Sequence, residues 1–405
     1  MDITGIIAEY NPLHKGHAFQ IRKIREETRT EGILVVMSGN FVQRGEPALV
    51  DKYRRCKMAL EAGADAVLEL PPAFACGSAE GFARGAVALL EACGCVHTVA
   101  FGASCTDPVR LEQLALLSQE ARNSPEMQRR LRGGLSYAAA LRETLREMDP
   151  EREGLLADPN TLLGIEYIRA IRQGGYALEI LPIKREGALY WETQLPAQGF
   201  ASASGIRRIL EQEKDPERIR EMVPPGVVEE LAYQIFPDDF SSMISAVLLR
   251  ETQGERGHLA AYGDVSPELE ERIRACRPFE ESFSGLVRRL GSRNFPEARV
   301  RRALLHILLG IRREEQERPP RSLKLLGIRQ DSKLPALLKK TARLPLITKT
   351  ADAREDLAEE YLGPQQIYNQ AVYYKTGRRL PDDYHQSPLV LRCENDCILI
   401  PDMIK

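Results

Sequence analysis

The spacing of apolar residues changes period repeatedly along the first half of the chain. An unbroken apolar, β-branched run fills residues 3–8. Both faces of such a run must be covered, so it predicts a buried strand. Asn11-Pro12 stops it, because proline donates no ladder hydrogen bond and steers its predecessor away from helix. From His17 the spacing of Phe19, Ile21 and Ile24 becomes helical. Buried strands are predicted again over 33–39, 64–70, 96–101 (ended by Gly102) and 178–184. Helices are predicted between them: one capped by Asp51 with Tyr53, Cys56 and Leu60 on one face, one over 79–92 and one over 161–172. Short connections between alternating strands and helices make a βαβ series on a parallel sheet, so the fold class is α/β. A helical excursion over about 109–148 interrupts the series, with Leu111, Leu114, Leu116 and Leu117 placed on one face. After a loop around Trp191, small and hydroxyl residues from Ala201 open another helix that runs to about 212.

Pro224-Pro225-Gly226 reads as a linker, which divides the chain into 1–223 and 224–405. The second part is mainly α-helical, with helices predicted over 227–235, 240–250, 267–276, 283–290 and 296–311. Strands are predicted over 323–328 and 344–348 around a helix at 334–340, and the last fifteen or so residues read as a hairpin or tail.

Composition narrows the class. Hydrophobic residues at 43% and charged residues at 28% of 405 describe a soluble globular chain long enough for two or three domains. No run approaches membrane-spanning length, and the amino terminus enters the first strand with no room for a signal peptide. None of the eight cysteines forms paired Cys-x-x-Cys motifs at zinc-finger spacing. Buried free thiols in a reducing cytoplasm are expected, with Cys393 and Cys397 flanking a hairpin turn and no protein metal site. The net charge of −2 hides an asymmetry: residues 285–329 carry 12 Lys or Arg against 4 Asp or Glu, a local +8 that leaves the rest at −10. Such contrast points to a local anionic partner.

The candidate chemistry lies where the first strand turns into the first helix. His14 and His17 flank Gly16 at that helix's amino end, whose free N–H groups and dipole attract phosphate. Imidazoles there can donate to an α-phosphate as charge builds on it. Ser202 and Ser204, followed by Arg207 in the first turn of a later helix, form a second anion site; ordinary serine capping is the plainer reading. In a parallel sheet, ligands bind outside the carboxyl ends of the strands. On the basic helical segments, Arg289, Arg293, Arg299 and Arg302 either form a solvated face paired with Glu281 and Glu297 or hold RNA phosphates.

Strand–His14-Lys15-Gly16-His17–helix, with Ser202-Ala203-Ser204-Gly205-Ile206-Arg207 closing the α/β half, resembles the HIGH-type nucleotidyltransferases. Four further stretches are similar to the bacterial tRNA(Met) cytidine acetate ligase family: residues 5–12, residues 37–48, Ala157-Asp158-Pro159-Asn160, and residues 299–306. The resemblance implies a Rossmann-like core and a two-step activity. ATP and acetate give acetyl-adenylate, and the acetyl group passes to the wobble cytidine of elongator tRNA(Met). It further implies that ATP is held by Ile7-Ala8-Glu9-Tyr10-Asn11-Pro12-Leu13-His14-Lys15-Gly16-His17-Ala18-Phe19-Gln20, by Gly102, by Asn160 and by Arg185, with Mg2+ accompanying the nucleotide. His14 and His17 would be catalytic, Ser204 with Arg207 would take the departing pyrophosphate, and Gly16 and Gly102 would let adenine approach the backbone. The expected partners are acetate and tRNA, with no membrane and no protein partner. Two alternatives stay open: an adenylyltransferase for a small phosphorylated metabolite, and a non-catalytic RNA-binding protein.

Overall fold

A computed structural model describes residues 2–133, 135, 137–149, 158–185, 200–391 and 397–399. Ala157, the loop around Trp191, and Cys393 with the turn expected beside it lie outside the described residues. The strands are β1 (Ile3–Ala8), β2 (Gly32–Ser38), β3 (Phe41–Val42), β4 (Glu46–Pro47), β5 (Ala66–Leu70), β6 (Val96–Ala103), β7 (Glu179–Lys184), β8 (Leu323–Arg329), β9 (Leu346–Ile347), β10 (Leu389–Leu391) and β11 (Cys397–Leu399). Nine of them form one sheet in the order β11-β10-β8-β5-β2-β1-β6-β7, with β9 beside β8. β1 lies near the middle, parallel to both β2 and β6, with Ile6 opposite Val35 and Ala100. Its apolar run is buried for the reason its composition implies: helices cover both faces of the sheet.

β5 through β2, β1 and β6 to β7 are parallel, so their carboxyl ends share one edge. Helices follow that edge under side-chain caps: Asp51 starts Lys52–Glu61, Asp158 starts Pro159–Gly174, and Ser202 starts Ala203–Glu213. β3 and β4 form a small antiparallel ribbon within the loop after β2.

Four expectations need correction. The excursion at 109–148 is three helices, Pro108–Asn123, Pro125–Arg132 and Tyr137–Met148, because Ser124-Pro125 ends one and caps the next. Leu116 does not share the face of Leu111 and Leu114; it is 63% exposed, five positions and about 140° round the helix from Leu111. The stretch at 227–235 is helical only over Val227–Glu230. A 22-residue helix, Glu355–Thr376, stands where no element is predicted; it buries Leu357, Tyr361, Tyr368 and Val372.

The change at Pro224 is a change of secondary structure and does not divide the sheet. β8, from the mainly helical half, pairs antiparallel with β5, and β10 extends the sheet beyond it. The core on that side is shared as well, joining Met37, Phe41 and Leu60 to Phe240, Leu304 and Tyr368. Six described cysteines are free thiols, five of them buried. No described helix is long and apolar enough to cross a membrane.

Candidate functional site: a cationic cleft at the carboxyl edge of the sheet

The helix Lys15–Glu27 begins in the side chains of its own motif. His14 is its N-cap, with Nδ1 accepting the Gly16 N–H at 3.1 Å. The His14 N–H in turn donates to Nδ1 of His17 at 3.3 Å, which closes a reciprocal cap. The two rings stack with centroids 3.7 Å apart, and Tyr10 stands edge-on to His17 at 5.0 Å. Gly16 makes this approach possible, because a Cβ there would lie 3.0 Å from His14 Cε1.

That geometry fixes the tautomer. A ring nitrogen that accepts a hydrogen bond carries no proton, so in each neutral imidazole the proton is on Nε2. Burial, with Arg185 and Arg207 adding to it, pushes the pKa of His14 down to about 3. Burial, then His14 and Arg185, holds His17 well below its ordinary value. The motif thus presents two neutral Nε2–H donors.

The cleft beside them has a volume of about 720 Å³. Among the described residues, six cationic side chains (Arg44, Arg122, Arg142, Lys184, Arg185 and Arg207) line it against three carboxylates (Glu9, Asp158 and Glu166). Arg207 Nη1 donates to the Asn11 carbonyl at 2.9 Å, and its Nη2 lies 3.7 Å from Glu46. Arg185 extends from the end of β7 toward the helix cap at Asp158, 3.5 Å away. The loop after β2 brings Gln43 and Arg44 to the opposite lip, where the Gln43 N–H donates to Glu9 at 2.9 Å. Burial and neighbouring cations lower the pKa of Arg44 despite Glu9. Gly45 in that loop has φ +73°, and a Cβ there would meet the Arg302 backbone nitrogen at 2.5 Å. The lip is therefore pressed onto the helix Glu297–Leu309, a contact only glycine permits.

The cleft brings together Ile7, Ala8, Glu9, Tyr10, Asn11, His14, Gly16, His17, Phe19, Gln20, Gly102, Asn160, Arg185, Ser202, Ser204 and Arg207. Pro12, Leu13, Lys15 and Ala18 are not on its wall: Leu13 is fully buried in the core, and Lys15 points outward to Glu221 at 3.8 Å. Ser202 Oγ is committed to its cap, accepting from the Gly205 N–H at 3.1 Å, as the plainer reading has it. Sequence reasoning missed Gln43, Arg44, Ser104, Asp158 and Phe200 as lining residues. The signal for Arg44 was available, in a polar loop at the carboxyl end of a buried strand.

The basic segment is more committed than its charge suggests. Arg302 Nε donates to Asp264 at 2.9 Å, and Arg299 lies over Phe295 with its centre 5.4 Å from the ring. Arg289 pairs with Glu281 at 2.9 Å but is exposed, as is Arg293. Arg299 and Arg302 converge on Asp264 instead of standing free together.

The HIGH Nucleotidyl Transferase family model matches residues 1–382. The chain is 34% identical to the tRNA(Met) cytidine acetate ligase of Caldanaerobacter subterraneus subsp. tengcongensis, over 92% of this chain and 95% of that one. It is 35% identical to the one from Syntrophotalea carbinolica, over 90% and 88%. Two crystal structures of Thermotoga maritima TmcAL superimpose on 97% of this chain and 100% of theirs. One is bound with alpha-thio ATP (27% identity, TM-score 0.81) and one is the apo form (28%, 0.83). The chain belongs to the tRNA(Met) cytidine acetate ligase family of HIGH nucleotidyltransferases.

Proposed function

We propose that the chain activates acetate with ATP and transfers the acetyl group to the exocyclic amine of the wobble cytidine of elongator tRNA(Met). The observation that carries this reading is the pair of neutral Nε2–H donors at a helix amino end in a cleft with excess positive charge. A carboxylate is a weak nucleophile that ATP repels, so catalysis must neutralise the α-phosphate and hold the attack in line. An acetate oxygen forms a bond to the α-phosphorus, and the bond to the β-phosphate oxygen breaks. His14 and His17 donate to the α-phosphate oxygens as charge develops, while Ser204 and Arg207 receive the pyrophosphate. Gly102, Asn160 and Arg185 hold the nucleoside side. The cytidine amine then attacks the acetyl carbon, its C–O bond to phosphate breaks, AMP leaves and the amine's proton passes to solvent.

The carboxylates facing the cleft are already engaged: Glu9 by the Gln43 N–H, Asp158 by its helix cap, Glu166 by Arg122 and Arg169. No group of three or more metal-binding side chains stands together among the described residues. A magnesium ion brought with the nucleotide would neutralise part of the phosphate charge. Arg289 and Arg293, with Arg299 and Arg302 behind them, would meet tRNA phosphates.

The test is to incubate the protein with ATP, labelled acetate and total bacterial tRNA and to identify the labelled nucleoside. N4-acetylcytidine is expected. Product formed from acetyl-coenzyme A without ATP would sink the mechanism, and pyrophosphate exchange indifferent to acetate would favour a metabolite adenylyltransferase.

A further inference from the structure

The helix Glu355–Thr376 runs out into a segment reading Tyr373-Tyr374-Lys375-Thr376-Gly377-Arg378-Arg379: two aromatics, three cations and no acid. Tyr374 is 71% exposed and Tyr373 41%, with ring centroids 6.2 Å apart. The Arg379 guanidinium stands 5.7 Å over the Tyr373 ring. Cations suit a helix carboxyl end, whose unpaired carbonyls and dipole favour them. That accounts for the charges but not for two adjacent phenol rings in water, where burial would be worth most to them. Lys375 is structural, paired with Asp239 at 2.7 Å and laid on Phe236. Arg378, whose Nη1 donates to the Ala232 carbonyl at 3.5 Å, and Arg379 are exposed cations without a carboxylate partner at salt-bridge distance among the described residues.

Rings with exposed faces beside flexible guanidinium groups are what unpaired RNA bases and their phosphates require. The helix that carries the rings is held firmly to the body of the protein. Between about one and a half and two and a half turns before Tyr374, Tyr368 Oη donates to the Ala48 carbonyl at 2.7 Å and Gln365 accepts from Asn40 at 2.7 Å. Both bonds tie the helix to the loop that carries Arg44 into the cleft. From Tyr368 to Tyr374 the helix rises about 9 Å, beyond that loop, to the level where Lys375 meets Asp239 and Phe236.

We propose that Tyr373, Tyr374, Arg378 and Arg379 form a second tRNA contact, stacking unpaired bases and holding the adjoining phosphates, apart from the basic segment at 285–302. This rests on the reading of the chain as a tRNA-acetylating enzyme. The experiment compares the parent with Arg378→Glu/Arg379→Glu and Tyr373→Ser/Tyr374→Ser, all surface changes. It measures the affinity for tRNA(Met) transcript as a function of salt, tRNA acetylation, and acetate-dependent pyrophosphate exchange without tRNA. The arginine pair should weaken tRNA binding about tenfold or more and flatten the log–log salt slope by one to two units. The tyrosine pair should weaken it about fivefold or more with little change in slope. Both should keep parental pyrophosphate exchange. Parental tRNA affinity, slope and acetylation in both variants would overturn the second contact alone. A change in sedimentation without a change in tRNA affinity would assign the surface to protein association and overturn it too. A parent showing neither acetate-dependent exchange nor tRNA binding would overturn the underlying reading, and the contact with it.

Discussion

Two polar clusters at the carboxyl edge of one sheet obey opposite rules. Beside the end of β5, Lys52 Nζ lies 2.7 Å from Glu69 and 3.1 Å from Asp383, while Lys324 pairs with the same Asp383 and Tyr53 donates to it. All four charged side chains are 3% exposed or less, and their charges balance. Every charge is consumed by an opposite one, so the cluster has nothing left to offer a ligand. In the cleft, protein partners take the inner nitrogen of each imidazole and leave the outer N–H unspent. Polar residues in the first cluster close the fold; those in the second keep it open toward a substrate. What separates them is the direction in which their hydrogen-bonding capacity is used.

Substitutions can break that contrast. The largest effect is expected from Asp383→Asn, which strips two buried lysines of a shared counter-charge and should cost about 3–5 kcal/mol. Urea unfolding measures it, and a loss under about 1 kcal/mol would show the cluster to be dispensable. His17→Ala should cost about 3 kcal/mol of transition-state stabilisation, a hundredfold in acetate-dependent pyrophosphate exchange, with a far smaller effect on the urea midpoint. An effect on stability alone would move His17 into the closed class. Arg207→Ala should raise the KM for ATP about tenfold with acetate alone, through loss of one charged donor; normal ATP use with weak tRNA binding would assign the residue to the other substrate.

The smallest effect sharpens the comparison by pH. The cleft imidazoles have folded pKa values below the unfolded value of about 6.5, so the unfolded chain binds more protons as pH falls beneath it. Their share of stability is full above about 6.5 and is lost as pH drops toward the folded values. Burial opposes the Asp383 carboxylate, but Lys52 and Lys324 hold its pKa below the usual range. The share from Asp383 therefore survives until pH falls through the carboxylate range. Ring proton resonances of His14 and His17 in the ligand-free protein should not titrate between about pH 5.5 and 8; a midpoint near 6.5 would contradict the buried, neutral pair.

Much of the cleft was legible because its signals are local. The run at 3–8, the stop at Asn11-Pro12 and the histidine spacing predict a strand, a turn and a capped helix within some twenty-five residues. The closed cluster was invisible for the opposite reason. Lys52, Glu69, Lys324 and Asp383 come from four distant points, and nothing in a lysine's neighbours announces a carboxylate 331 residues on. The direction of β8 was hidden likewise, since an apolar run looks the same parallel or antiparallel. The helix Glu355–Thr376 went unread because Gly363-Pro364 in its middle looks like a break, while tertiary packing of Tyr361 and Tyr368 outweighs that local penalty.

The long reach of the buried cluster gives the molecule a timetable. A ribosome adding about 5–20 residues per second delivers Lys52 and Glu69 tens of seconds before Asp383. Until residues 355–376 have followed, the growing chain can hold both histidines and Arg207 yet lacks the helix that ties down the loop bearing Arg44. A nascent or prematurely ended chain would therefore carry the nucleotide motif without a finished lip. The loop that bears Arg44 waits for a partner 325 residues further along the chain.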